Sequence, residues 1–383
     1  LSIYQKCKPN FEPPPILHLL RCVVLLSVAM VTLAGASGTS ANREQQRIFA
    51  DIHALLLQEN SEFFTGDQEG ANQNIAQTVD LQLLNVERFD GLTAATLLTN
   101  QPSQSWRLVY PYRETRYYQE TDAGWQQVAP GKSFWGEQRM LETPHLRFEY
   151  LDRDHAAIER LAVPVENVYV TLHRRLRLAL PAPTSKLTIE ITPNLVNRRS
   201  MAGTRIEVSS PFAGQIPVGL SDDDYLMHEI VRRLVYWRVS GNNTERLDGV
   251  FSARWRIMRR GLRSWLETDL LGQESEWDQQ AKKIMIQQLH EHFPMTVTEI
   301  SGWEEPMIHD REYFMLRTSA AKSLIEYIVV RHGQDKLGDL LRGFTQHRSW
   351  SDLIPALLDE SVEEFEAGWN RYLGEHYFVQ PSS

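Results

Sequence analysis

The sequence predicts an α+β chain: a helix with a curved antiparallel sheet, then a mixed α/β subdomain, then a helical subdomain. Three observations carry that expectation. Within residues 42–138 one apolar stripe at helical spacing is followed by short alternating segments. Within residues 139–241 the patterns run strand, helix, strand, loop, strand, helix. From residue 242 to 383 the apolar residues recur with the helical period throughout. A length of 383 residues, 42% hydrophobic and 23% charged, is enough to bury a core in roughly two or three such parts.

Residues 1–41 read as a leader outside the fold. Lys6, Lys8 and Arg21 precede an almost wholly apolar run that ends Ala34-Gly35-Ala36. A positive flank, an apolar centre and small residues are the order of a secretory signal, and Ala34 and Ala36 suit signal peptidase. Left uncut, the same run would serve as a membrane tether. The expected address is therefore extracellular or cell-surface, secreted or membrane-anchored. Cys7 and Cys22 both lie in the leader, so residues 42–383 hold neither a disulfide nor a thiolate metal site. The Leu-Leu-Arg before Cys22 makes a poor lipoprotein box, because small residues should flank an acylated cysteine. Without Lys6, Lys8, Arg21 and Glu12 the net charge of −9 becomes about −11, a balance that argues against a nucleic-acid partner.

In the first folded part, Ile48, Ile52, Leu55, Leu56 and Leu57 form the stripe of a helix over 42–58. Residues 60–74 are polar and read as a loop. Strand patterns follow at 78–84, 106–110, 113–120 and 124–128, with Ala123-Gly124 as a turn. This order of a helix and a meander resembles the cystatin-like and nuclear-transport-factor-like folds. Trp106, Tyr110, Tyr112, Tyr117, Tyr118 and Trp125 suit the core between sheet and helix, with a ligand pocket as the alternative.

The second part alternates as a strand at 146–150 and turns helical over 154–178, where Pro164 is expected to kink or split the helix. Strands follow at 186–192 and 205–209, separated by a polar loop. After a Pro/Gly-containing loop, a helix is predicted over 222–237. In the last part helices are predicted over 251–272, 274–292, 310–331, 334–344, 349–358 and 361–377. Ser349 and Ser361 stand as N-caps, the second with Glu364 three residues on as a capping box.

The helix over 222–237 organises the functional expectation. It starts on Asp222-Asp223-Asp224, carries His228-Glu229 in its middle and has Arg232 four residues after His228. The segment from about 141 to 377 resembles the gluzincin-type metallopeptidases, in particular the bacterial peptidase MA-like domains, which are zincin-like in fold. The strand at 146–150 and the helix after it match in order, as does the strand at 186–192. Ser200-Met201-Ala202-Gly203 and 205–209 resemble the turn and edge strand that pair with substrate. The segment 221–237 stands where the zinc helix belongs, and Gly261-Leu262-Arg263-Ser264-Trp265-Leu266-Glu267-Thr268 resembles the stretch that supplies a glutamate ligand.

What the resemblance implies is a zinc ion held by two histidines at i and i+4 and a glutamate from the next helix, with a glutamate as general base. Carried over, His228 is the first metal ligand, Glu229 the catalytic base, Glu267 the third ligand, and the second ligand position holds Arg232. A guanidinium neither deprotonates nor ligates a cation. At roughly 4 Å and an effective dielectric near 20, each unit of like charge costs about 4 kcal/mol, on the order of a thousandfold in affinity. The site is therefore expected to be degenerate, H-E-x-x-R, with Arg232 in the metal's place and paired with Glu229, Glu267 or both.

Blander readings stand beside the remaining charged groups. Ser221 with Asp222, Asp223 and Asp224 is explained by capping and the helix dipole, calcium being the alternative. His290 and His292 are two apart and fall on different helix faces. Asp359-Glu360 and Glu363, Glu364 and Glu366 read as a solvated face. Arg174, Arg175 and Arg177, and Arg254, Arg256, Arg259 and Arg260, read as internal ion pairs or solvated helix, with anionic lipid or an acidic partner as the alternative. The expected function is an exported, catalytically inactive gluzincin-like protein that binds or scaffolds a protein or peptide partner without cofactor. The alternative is an active zinc metallopeptidase whose second ligand comes from elsewhere, His309 or His290.

Overall fold

The computed structural model describes residues 40–65, 81–89, 91–99, 111–182, 184–196, 201–240, 255–301 and 311–377. The leader lies outside them up to residue 39, as does the strand expected at 106–110 with Trp106 and Tyr110. Helix α1 (Ser40–Thr65) turns Ile48, Ile52 and Leu56 onto a sheet of β1 (Leu81–Phe89), β2 (Leu92–Thr99), β3 (Tyr112–Thr121) and β4 (Gly124–Gln127). There they meet Leu83, Val86, Ala95, Leu97 and Tyr118 in a core of their own, with Trp125 packed against it. Each large apolar side chain buried this way contributes roughly 1.5–3 kcal/mol. Leu57 does not belong to the stripe: it sits ~100° further round the helix than Leu56 and is 58% exposed.

Strands β1, β2 and β3 form an antiparallel meander, and β4 pairs with the end of β3. Strand β2 escapes periodicity because both of its faces are covered, so its residues do not alternate in polarity. A further strand comes from far along the chain. In β10 (Gln215–Pro217), Gln215 pairs with Glu114, Ile216 with Arg113 and Pro217 with Tyr112, giving the order β1-β2-β3-β10. The expected division at residue 138 is thus bridged by a strand of the next part, within a stretch that reads as loop. A short strand at an edge is also where proline is tolerated.

After a single helical turn, α2 (Lys132–Trp135), the second sheet has the order β5-β6-β7-β9-β8. It comprises β5 (Gln138–Glu142), β6 (Leu146–Leu151), β7 (Leu187–Thr192), β8 (Met201–Ala202) and β9 (Arg205–Ser209). The β6–β7 and β7–β9 pairs are parallel, while β5 and β8 run antiparallel at the edges. Leu146, Phe148, Ile189, Ile191, Ile206 and Val208 turn into the main core, as period-two alternation requires. A 3-10 turn, Asp152–Asp154, leads into α3 (His155–Arg175), which the chain carries through Pro164 without a break. Pro164 lies on the exposed side, where water can take the carbonyl left without an N–H, so the expected split does not occur.

Helix α4 (Asp222–Ser240) packs on α3 and β9 and against α5 (Arg256–Leu271). The helical part continues with α6 (Glu276–His292), α7 (Val297–Ser301), α8 (Arg311–His332), α9 (Lys336–Gln346), α10 (Trp350–Leu358) and α11 (Val362–Tyr377). At the crossing of α5 and α8 the glycine is required, because a Cβ on Gly261 would lie 2.6 Å from the Ala321 carbonyl carbon. The two expected serine caps form. Ser349 Oγ accepts the Asp352 N–H at 3.2 Å, and Ser361 and Glu364 make the reciprocal capping-box pair at 3.2 and 3.0 Å. Among the described residues no helix is long and apolar enough to cross a membrane.

Candidate functional site

Helix α4 begins where its sequence requires. Ser221 Oγ accepts the Asp224 N–H at 3.1 Å and donates to Asp224 Oδ2 at 2.6 Å. Arg113 of β3 donates to Asp222 at 2.5 Å, and Arg160 of α3 grips Asp223 through two bonds of 2.7 and 2.9 Å. The three aspartates therefore serve the helix terminus and two interelement ion pairs. Arg160 holds the Asp223 carboxyl below the usual carboxylate range.

One turn further on, Leu226, Ile230 and Val231 are buried on one side of α4, and the other side, with buried Tyr225 on it, meets the charges of α5. That face carries His228, Glu229 and Arg232. The Arg232 guanidinium donates directly to Glu229 Oε1. Glu229 raises the Arg232 pKa most; burial opposes it, and Glu267 of α5 adds to the rise. Glu267 acts on this cation across the α4–α5 contact. Burial pushes the Glu267 carboxyl up, against Arg232, Arg263 and Arg260, and Asp278 adds to the rise.

His228 is drawn elsewhere. The Gln273 side-chain amide donates to His228 Nε2 at 2.7 Å, which leaves Nε2 as the unprotonated nitrogen. Burial lowers the His228 pKa, with Arg232 acting in the same direction and Asp224 and Glu229 opposing, so the ring is neutral at pH 7. The expected site residues are thus brought onto one face, but as an ion pair with a second carboxylate nearby and a histidine tied to an amide. The donor set does not fit a zinc ion. Arg232, at the second ligand position that the resemblance implies, carries a permanent cation already paired with Glu229, and His228 Nε2 already accepts from Gln273. Among the described residues there is no group of three His, Cys, Asp or Glu side chains that could hold a metal ion. His309 lies outside the described residues, as does the side chain of His290.

The surroundings of the pair come from Arg260, which the sequence places in a basic run, from the stretch 261–268, and from residues that the sequence does not single out. Arg263 stacks its guanidinium 4.7 Å from the Tyr236 ring, and Arg260 lies 4.6 and 4.7 Å from the rings of Trp277 and Phe314. Asp278, buried, accepts from Ser264 and from Ser275, joining α5 to the start of α6. Lys322 of α8 donates to Thr268 at 3.0 Å and pairs with Glu274 at 2.8 Å. The Arg263–Tyr236 contact ties α5, and with it Glu267, to α4, and the others tie α5 to α6 and α8. Their only sequence signal is the density of charged residues on an otherwise apolar helix.

Elsewhere the basic runs are internal pairs in part: Arg175 reaches Asp269 at 3.1 Å and Arg177 reaches Asp339 at 3.6 Å. The acidic run around the start of α11 likewise divides, with Glu360 paired to Arg331 at 2.9 Å and Glu366 accepting the Val297 N–H at 2.8 Å. Comparison with protein-family models, with curated proteins and with solved structures finds no match.

Proposed function

We propose that this chain is an exported gluzincin-like protein in which an arginine has taken the place of the metal, and that it binds or scaffolds a protein or peptide partner. The observation that carries this is the ion pair between Arg232 and Glu229, with Glu267 acting on the same guanidinium. In the gluzincin scheme these two carboxylates are the general base and the third ligand. A carboxylate committed to a permanent cation is a weak proton acceptor, because taking a proton would break the pair. The order of the second sheet and the helix after it supports a zincin-like fold for this part. The helix on an antiparallel sheet before it supports the cystatin-like or nuclear-transport-factor-like comparison. The leader supports export, with tethering as its uncut form.

The test is metal analysis of the protein purified without chelator, followed by cleavage of a peptide library with and without chelator. The expected result is zinc far below one per chain and no chelator-sensitive cleavage. Zinc near one per chain, together with cleavage lost in Glu229→Gln, would overturn the proposal in favour of an active peptidase with an atypical second ligand.

A further inference from the structure

A second unusual carboxyl lies away from this face, where the two sheets meet. Asp154 ends the 3-10 turn between β6 and α3 and is 1% exposed. Its Oδ1 accepts from the Ser210 hydroxyl at 2.8 Å, and its Oδ2 is buried with no hydrogen-bond partner among the described residues. The charged groups around it give little compensation. On its own turn, Asp152 is engaged with Arg139 and the Glu137 N–H, and Arg153 directs its guanidinium into a cage of Phe89, Phe134 and Phe212, 4.6–4.7 Å from each ring. From α4 comes Asp222, a like charge, itself paired with Arg113 of β3. From β3 comes Tyr117, whose hydroxyl donates to the Phe212 carbonyl at 2.8 Å. A buried carboxyl with one neutral donor, one unpaired oxygen and a facing carboxylate retains its proton unusually well. Burial is the main cause and pushes the Asp154 carboxyl up to about 6; Ser210 and Arg153 hold it down, and Asp222 adds to the rise.

What Asp154 holds is the segment that joins the two sheets to the site helix. Ser210 Oγ, which donates to Asp154, also accepts the Phe212 N–H at 3.2 Å, and the Ser210 N–H donates to Thr192 O at 2.8 Å. Gly214 lies so near α4 that a Cβ there would be 2.5 Å from the Tyr225 hydroxyl. Then β10 enters the first sheet, the Val218 N–H donates to Pro111 O at 3.1 Å, and Ser221 caps α4. We propose that buried Asp154 is a proton-dependent latch on residues 210–221: the segment closes over the neutral carboxyl, and an anion enclosed there beside Asp222, without a counter-ion among the described residues, favours opening, although the Ser210 hydroxyl by itself favours the anion. The latch sets how firmly the first sheet grips the start of α4, and it does not depend on the gluzincin reading.

The sign of the effect follows from linkage. The native carboxyl binds its proton more tightly than a solvent-exposed one, whose ordinary value is 3.8. Opening of the segment therefore becomes roughly tenfold more favourable per pH unit between those two values, on the order of a hundredfold in all, and is level above about pH 6. The test is hydrogen–deuterium exchange of peptides covering 210–221, corrected for intrinsic exchange, from pH 4 to 7.5 in the wild type and Asp154→Asn. The asparagine keeps an acceptor for Ser210 and cannot ionise. The expected result is a wild-type opening constant that climbs relative to the variant between pH 4 and 6 and then runs parallel to it. A ratio independent of pH would overturn the latch. The wild type alone supplies a second measurement, a carbon-13 carboxyl titration: a resonance for Asp154 that titrates near 6 supports the latch, and one that titrates below 4 overturns it.

Discussion

At the face between α4 and α5 the guanidinium of Arg232 answers to carboxylates, Glu229 in direct contact and Glu267 across from it. At the meeting of the two sheets the guanidinium of Arg153 answers to three phenylalanine rings. The first arrangement is compensated by opposite charge, so changing one member leaves a charge uncancelled or makes room for another cation. The second is compensated by ring quadrupoles and dispersion, so it is insensitive to pH and leaves the neighbouring Asp154 without an ion-pair partner among the described residues. The same side-chain type thus forms an ion pair in one region and leaves a stranded carboxyl beside it in the other.

Four substitutions sharpen that contrast. The largest effect is expected for Arg232→His, which removes the cation and places imidazoles at i and i+4. Relief of the like charge is worth about 4 kcal/mol for each unit of charge on the ion, on the order of a thousandfold or more in zinc affinity. Calorimetric zinc titration of variant and wild type measures it, and equal affinities would show that Arg232 does not govern the site. Asp154→Asn comes next. A shift from the ordinary value of 3.8 to about 6 corresponds to about 3 kcal/mol at most. That native stability is present below the ordinary value and is lost as pH rises to about 6. The variant should accordingly be more stable than the wild type in urea at pH 7 and no more stable at pH 3.5.

Arg153→Ala empties the cage of Phe89, Phe134 and Phe212. Cation–π contacts of about 0.5–2 kcal/mol each, not fully additive, predict a loss of roughly 2–3 kcal/mol at pH 5 and pH 8 alike. A loss confined to one of these pH values would show that Arg153 works chiefly as the counter-ion of Asp154. The smallest effect belongs to Glu229→Gln. Its partner Arg232 has a side chain 40% exposed, so the change costs about 1 kcal/mol or less in thermal or urea unfolding. A loss of several kcal/mol would mean that the pair is sealed from water.

Much of this was legible in the sequence where the chemistry is local. The cap of Ser221, the capping box of Ser361 and Glu364, and the stripe of Ile48, Ile52 and Leu56 each depend on residues within two turns. Partnerships made across the chain were not. Nothing in Gln215-Ile216-Pro217 announces a strand, because its partners stand about a hundred residues earlier and proline ordinarily argues against one. The cage of Arg153 draws on Phe89, Phe134 and Phe212, each unremarkable where it stands. At the site, the pairing of Arg232 follows from its three-residue spacing to Glu229 on a helix. The engagement of His228 by Gln273 does not, because it depends on how α4 and the end of α5 are set side by side.

Strand β10 has one more consequence, for anyone who would shorten the chain. A version beginning at residue 139 would retain the second sheet and the helices but would strip Gln215–Pro217 of every ladder partner and uncover Ile216, now 3% exposed. It would also remove Phe89 and Phe134 from around Arg153 and Arg113 from beside Asp222. The first helix and sheet are in this sense a splint: three residues of the later part are set into them, and only four residues separate the splinted strand from the helix bearing His228, Glu229 and Arg232.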